Sequence, residues 1–138
     1  MSESLSEFLL ENPITDEVVS IYPSERFKKR GLAFKIRPIS GKEFADYQSE
    51  CTVVKGQGKN RHVSFDTRKY NSLIALNHTV EPNFKDAQLL QQANCTLPEQ
   101  FLFRSLKAGE LQELCTQILV LSGFDNDMSE QVDEVKNS

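Results

Sequence analysis

A chain of 138 residues with a formal net charge of −4 is long enough for one domain with a hydrophobic core, and too short for two domains of typical size. Its 38% hydrophobic and 26% charged residues are typical of a soluble globular protein, and the lack of any apolar run of about 18 residues excludes a transmembrane helix. Three cysteines without a CxxC pair argue against a disulfide framework and against a zinc site.

The charges are distributed unevenly along the chain. Residues 1–25 carry six acidic and no basic residues, whereas residues 26–69 carry twelve basic against four acidic residues, a local net charge of +8. Residues 125–138 are acidic again and are predicted to be a mobile tail. The basic region is either a nucleic-acid surface or the solvated face of a small sheet. The bases of 55–61 are not interleaved with aromatic residues, which favours the second interpretation.

Residues 1–16 are predicted to be a flexible acidic segment. Within it Leu5, Phe8 and Leu9 have the i, i+3, i+4 spacing of a short amphipathic helix that Pro13 ends. Isolated helices of this length are marginal in water, so the segment is either disordered or orders only on another surface. The three apolar residues are therefore candidates for partner binding or self-association. The N-terminus lacks the basic region of a secretory signal, so we expect a cytoplasmic protein.

Residues 17–124 are predicted to form a single α+β domain, in which a small N-terminal antiparallel β-sheet or hairpin precedes a mainly α-helical C-terminal part. Alternating polarity and β-branched residues predict an edge strand at 17–22. The alternation over 32–39 predicts a half-buried strand, and we expect it to form a hairpin with 26–28 around Gly31.

The helices that follow are predicted from their N-terminal residues. Ser40 with Glu43 three residues later predicts a capping box. Asp66 is expected to cap a helix that ends near Asn77, and Asp86 is expected to cap a further short helix.

The apolar stretch 97–124 dominates the C-terminal part. Its second half has apolar residues at spacings of three, four and seven, which predicts a helix with one buried face that ends at Gly123. In the first half, apolar residues point nearly all round a helix, more than one core contact needs. Either all of them belong to the core, or some form a surface for a partner. The candidates for that surface are Phe101, Leu102, Phe103 and Leu106.

Catalytic and metal-binding patterns are scarce. His62, in a predicted short strand, and His78 are sixteen residues apart and lie in no HxxxH or HExxH motif. Asp66 could pair with His62, but its role as a helix cap explains it without catalysis. The acidic residues of 125–127 lack the glycine and terminal glutamate of a calcium loop. We therefore predict no enzymatic activity, no cofactor and no metal site.

Several segments in order resemble one protein family. The series SERFKKRGLAFKIRPISGKEF, DTRKYNSLIALNHTVEPNFKDAQLL, LKAGELQELCTQILVLSGFD and EVKN is similar to the XkdN-like tail assembly chaperones of phages and prophages with contractile tails. The similarity spans residues 24–137, and its most specific part is LKAGEL at 106–111 with the LSGFD that follows.

The resemblance implies a non-enzymatic chaperone in the host cytoplasm that is absent from the mature virion. Such proteins bind the tape measure protein and help the tail tube protein to polymerise around it, so both are expected partners, and self-association is a further one. No membrane contact is expected, and nucleic acid is disfavoured as a partner. The alternative function is a small nucleic-acid-binding regulator that uses the basic region 26–69.

Overall fold

The computed structural model describes residues 4–125, so the predicted tail beyond Asp125 lies outside the described residues. Within them the chain forms helices and strands of an α+β fold, which confirms the predicted class. In chain order they are α1 (Leu5–Glu11), β1 (Val19–Ile21), α2 (Glu25–Lys28), β2 (Phe34–Ile36), α3 (Gly41–Cys51), β3 (Thr52–Lys55), β4 (His62–Phe65), α4 (Thr67–His78), β5 (Thr79–Glu81), α5 (Ala87–Gln92), α6 (Pro98–Ser105) and α7 (Ala108–Leu121).

Strand β2 is the centre of a three-stranded antiparallel sheet in the order β1–β2–β5. Phe34 and Ile36 are buried and Lys35 between them is exposed, which is the predicted alternation of a half-buried strand. The edge strand predicted at 17–22 is confirmed as β1. Because β5 follows α4 in the chain, the sheet is completed only after two long helices. The predicted order of a sheet followed by helices is therefore only partly confirmed.

The predicted hairpin between 26–28 and 32–39 is wrong. Residues Glu25–Lys28 form the short helix α2, and β2 pairs with β1 and β5. Gly31 does have a positive φ of 67°, but it reverses the chain after α2, where the Leu32 amide donates to the Phe27 carbonyl at 3.0 Å. The Phe27 ring then packs edge-on against Phe34 with 4.9 Å between ring centroids. This contact places α2 on the sheet.

The predicted helix starts are confirmed. The Ser40 hydroxyl accepts from the Glu43 amide at 3.1 Å, and the Glu43 carboxylate accepts from the Ser40 amide at 3.2 Å, so α3 begins with a complete capping box. Asp66 caps α4 and Asp86 caps α5 through their carboxylates. These interactions span no more than three residues, and for that reason they can be recognised in the sequence.

A second sheet consists of the hairpin β3–β4, in which Val54 is paired with Val63. The strand predicted at His62–Phe65 is confirmed as β4, and all four of its residues are exposed. Strand β3 continues directly from α3.

The core lies between α4, α7 and the three-stranded sheet. Helix α7 ends as predicted, since Gly123 has a φ of 100° and the Phe124 amide donates to the Leu119 carbonyl at 3.0 Å. None of the described helices is long and apolar enough to cross a membrane. The fully buried large apolar side chains are Ile36, Ile74, Phe84, Leu102, Leu114 and Ile118.

Candidate partner-binding surfaces

Helix α6 does not expose all the apolar residues predicted to face a partner. Leu102 is fully buried and Leu106 is 8% exposed, so both belong to the core. Phe101 is partly buried and packs against Phe84, with 5.8 Å between ring centroids. Phe103 is also partly buried, and the Arg68 guanidinium lies 4.8 Å from its ring centroid. Most of the apolar side chains predicted to face a partner therefore pack inside the domain.

An open cleft of about 340 Å³ lies between α2, the start of β2, the segment after β5, α5 and α6. We call it the apolar cleft. Its polar rim includes Arg26, Glu81 and Ser105. Two of the predicted α6 residues, Phe101 and Leu106, line it. The other apolar residues of its wall are Phe27, Leu32, Ala33, Phe34, Pro82, Phe84 and Leu89.

Four aromatic rings follow one another along the cleft. Phe27 contacts Phe34, Phe34 lies 6.4 Å from Phe84, and Phe84 lies 5.8 Å from Phe101, as measured between ring centroids. Tilted and edge-on pairs of this kind contribute about 0.5–1.5 kcal/mol each beyond the area that they bury. Leu32 at the edge of the cleft remains 57% exposed. Phe34 and Phe84 are buried within the cleft wall, and the cleft is open to solvent beside Leu32.

A buried carboxylate fixes the position of α2. Glu110 is only 3% exposed, and the Arg26 guanidinium donates to both of its oxygens, from Nε at 2.6 Å and from Nη2 at 2.7 Å. The Ser24 hydroxyl donates to it at 2.5 Å and the Lys107 amide at 2.8 Å. Arg26 Nη2 also donates to the Ser105 carbonyl at 2.9 Å. These hydrogen bonds, that from Arg26 foremost, lower the pKa of Glu110 to about 2.

This arrangement explains the segment 106–111, the most specific part of the family resemblance. Lys107 is the N-cap of α7, and Glu110, three residues later, accepts its amide as in a capping box. The same carboxylate binds Arg26 and so ties α2 to the junction of α6 and α7. Glu110 was not identified from the sequence. Its signal was an acidic residue in the first turn of α7, a helix whose end but not whose start was predicted.

Helix α1 confirms the predicted amphipathic spacing and exposes its apolar residues. Its N-cap is Ser4, whose hydroxyl accepts from the Glu7 amide at 3.1 Å. None of its residues is buried. Leu5, Phe8 and Leu9 are 76%, 50% and 64% exposed. This stripe is a second candidate surface.

The histidines and cysteines lie apart from both surfaces. His62 is exposed on β4, whereas His78 is fully buried, with 2.9 Å between its Nε2 and the Tyr47 hydroxyl. Burial lowers the pKa of His78 to about 4. All three cysteines are buried free thiols, and burial raises the pKa of Cys115 to about 12. Among residues 4–125 no group of three or more His, Cys, Asp or Glu side chains could hold a metal ion.

The basic region 26–69 is partly neutralised by acids of the protein itself. Five of its basic side chains form ion pairs with acidic ones, three of them on the surface of the sheet and helices. This agrees with the interpretation of a solvated face and does not support the nucleic-acid alternative. The paired residues are Arg26, Lys35, Arg37, Lys42 and Arg68.

Fold and surfaces together define a small α+β protein with an apolar cleft of the kind that binds apolar ligands or polypeptide segments. The chain belongs to the family of phage XkdN-like tail assembly chaperone proteins, which matches residues 5–136. This confirms the family resemblance found in the sequence.

Two relatives come from Bacillus subtilis strain 168. The phage-like element PBSX protein XkdN is 26% identical over 138 residues, covering 96% of this chain and 93% of the relative. The uncharacterised protein YqbN is 28% identical with the same coverage. The crystal structure of YqbN matches the fold with a TM-score of 0.66 and 25% identity, covering 91% of this chain and 100% of that chain.

Proposed function

We propose that this tail assembly chaperone acts in the host cytoplasm by holding the tape measure protein in its apolar cleft while the tail tube assembles, and that it is absent from the mature virion. Family membership supports the class of function. The observation that supports the proposed partner is the open cleft itself, whose wall is mainly apolar and whose edge residue Leu32 is 57% exposed. The chemistry required is binding and release, without a catalytic step.

A tape measure protein, as the family resemblance implies, is a long and largely helical chain that exposes apolar stripes until the tube encloses it. An apolar groove accepts one face of such a helix through residues spaced by three and four. Each apolar anchor contributes about 1.5–3 kcal/mol, from which the cost of association is subtracted. Three or four anchors therefore give reversible binding, which the growing tube needs in order to displace the chaperone.

We propose a narrower set of binding residues in and after α6, chosen by whether each side chain lines the cleft. Phe101 and Leu106 line the cleft, so we retain them in the proposed surface. Leu102 is fully buried, and we leave it out. Phe103 lines a separate depression with Arg68 and Leu97, and its part in binding stays a prediction.

Co-expression with the tape measure protein tests this function. Leu32→Asp places a charge at the edge of the cleft, and Val63→Asp on β4 is the control because Val63 is 63% exposed and lies outside the cleft. We expect Leu32→Asp to lose the tape measure protein on size exclusion and Val63→Asp to retain it. If the tape measure protein is equally soluble without the chaperone, and no complex elutes, the proposal is wrong.

A further inference from the structure

Helix α1 is a short helix whose apolar stripe has no cover. Leu5, Phe8 and Leu9 are each at least half exposed, and none of the helix's residues is buried. A seven-residue helix gains little stability from its own hydrogen bonds, so burial of the stripe would stabilise it. Apolar side chains at helical spacing that remain in solvent mark a surface for contact with another polypeptide.

The charges beside the stripe and those beside the apolar cleft are opposite. Glu11 lies three residues after Phe8, so the two side chains are neighbours on α1, and Glu7 adds a second negative charge to the helix. Lys28 ends α2 next to the cleft residue Phe27, and the exposed bases Lys29 and Arg30 follow it. None of these five charged side chains forms an ion pair with another described residue. The charged residues are Glu7, Glu11, Lys28, Lys29 and Arg30.

Helix α1 does not occupy the cleft of its own chain, because no residue of α1 lines that cleft. The last residue of β1, Ile21, is paired with Phe34, which lines the cleft. The first residue, Val19, is paired with Ile36 at the opposite end of the strand. The chain coming from α1 enters the sheet at that far end, and the stripe itself is exposed and available to other molecules.

We infer that α1 of one copy binds in the apolar cleft of a second copy, with Phe8 and Leu9 as its apolar anchors. The acidic flank of α1 then faces the basic residues 28–30 of the partner copy. Two reciprocal contacts of this kind close a twofold dimer. This inference goes beyond the proposed function, because it assigns the cleft a second occupant. The second copy and the tape measure protein compete for the same cleft. The dimer is therefore a form of the chaperone whose clefts are occupied until the tape measure protein binds.

Sedimentation velocity over a range of concentrations tests the inference with the full-length chain and three variants. Phe8→Asp disrupts the stripe and Leu32→Asp disrupts the cleft. Leu10→Asp is the matched control, because Leu10 is 82% exposed on the opposite side of the same helix. Circular dichroism checks that each variant keeps its helix content.

We expect the unaltered chain and Leu10→Asp to form dimers with the same dissociation constant. Phe8→Asp and Leu32→Asp each weaken the dimer by roughly tenfold or more. An equimolar mixture of these two variants regains part of the association, because it combines an intact α1 with an intact cleft.

Three results would overturn the inference: a monomer at all concentrations, a Phe8→Asp monomer beside an unchanged Leu32→Asp dimer, or a mixture that does not associate. A failure here is distinguishable from a failure of the proposed function. Phe8→Asp leaves the cleft intact and should still co-purify with the tape measure protein, whereas Leu32→Asp should not.

Discussion

Arg26 and Glu110 are separated by 84 positions in the sequence, yet their side chains meet in a bidentate ion pair with hydrogen bonds of 2.6 and 2.7 Å. The pair joins the short helix α2 to the first turn of α7. Phe27, the next residue of α2, forms one wall of the apolar cleft. The buried carboxylate of Glu110 thus holds α2 in place, and with it one wall of the proposed binding surface.

Replacement of Glu110 by glutamine should lower the free energy of unfolding by about 1–3 kcal/mol, because the amide cannot satisfy the donors that converge on the buried carboxylate. Urea unfolding followed by circular dichroism measures the change. Glu113→Gln is the control on the same helix, since the only described partner of that carboxylate is the Gln117 side chain. Equal losses in the two variants would contradict the role assigned to Glu110.

Acidic pH should weaken the ion pair between Arg26 and Glu110. The pKa of Glu110 is about 2 in the folded protein, below its ordinary value of 4.5, chiefly because Arg26 donates to the carboxylate. Between these values the unfolded chain binds the extra proton, so stability is complete above pH 4.5 and falls as the pH decreases towards 2. Unfolding measured at steps through this range should show a shallower decline for Glu110→Gln. Equal declines of stability in the unaltered protein and in Glu110→Gln would contradict the role of the Arg26–Glu110 ion pair.

His78 should remain neutral at mildly acidic pH because it is buried. Burial first, and then the charge of Arg37, lower the pKa of His78 from 6.5 to about 4. The stability due to the neutral buried ring is complete above pH 6.5 and is lost as the pH falls towards 4. An NMR titration of the imidazole protons at pH 5–6 should show His78 unprotonated. A His78 signal that titrates near its ordinary value of 6.5 would contradict its burial.

The residues of α6 were considered both for the core and for a partner-binding surface, and measurements of stability distinguish these two roles. Leu102→Ala should cost about 2–5 kcal/mol, because it opens a cavity in the core at a fully buried position. Leu97→Ala, at a position that is 57% exposed, should change the free energy of unfolding by no more than about 0.5 kcal/mol. Chemical denaturation compares the two variants. A small loss of stability in Leu102→Ala would contradict the assignment of Leu102 to the core and would again make it a candidate for partner binding.

The features that the sequence predicted are local ones. The carboxylate of Asp66 and the capping box of Ser40 and Glu43 bind amides within three residues, so their pattern is visible along the chain. The pairing of β2 with β5 and the contact of Arg26 with Glu110 join distant segments, which periodicity does not encode.

The candidate site was predicted less completely than the fold for a related reason. On a helix that is apolar nearly all round, spacing does not rank one face above another. The sequence therefore identified α6 as an important helix without showing that Leu102 enters the core and Phe101 reaches the cleft. Most of the cleft comes from α2, β2, α5 and the segment after β5, whose convergence depends on the tertiary fold.

The most direct test of the account is hydrogen–deuterium exchange of the chaperone alone and in complex with the tape measure protein. Occupation of the apolar cleft predicts slower exchange at residues 27–34 and in α5, with unchanged exchange in the hairpin β3–β4, which lies outside the cleft. Protection confined to that hairpin, with the cleft segments exchanging as they do in the free protein, would contradict the central claim.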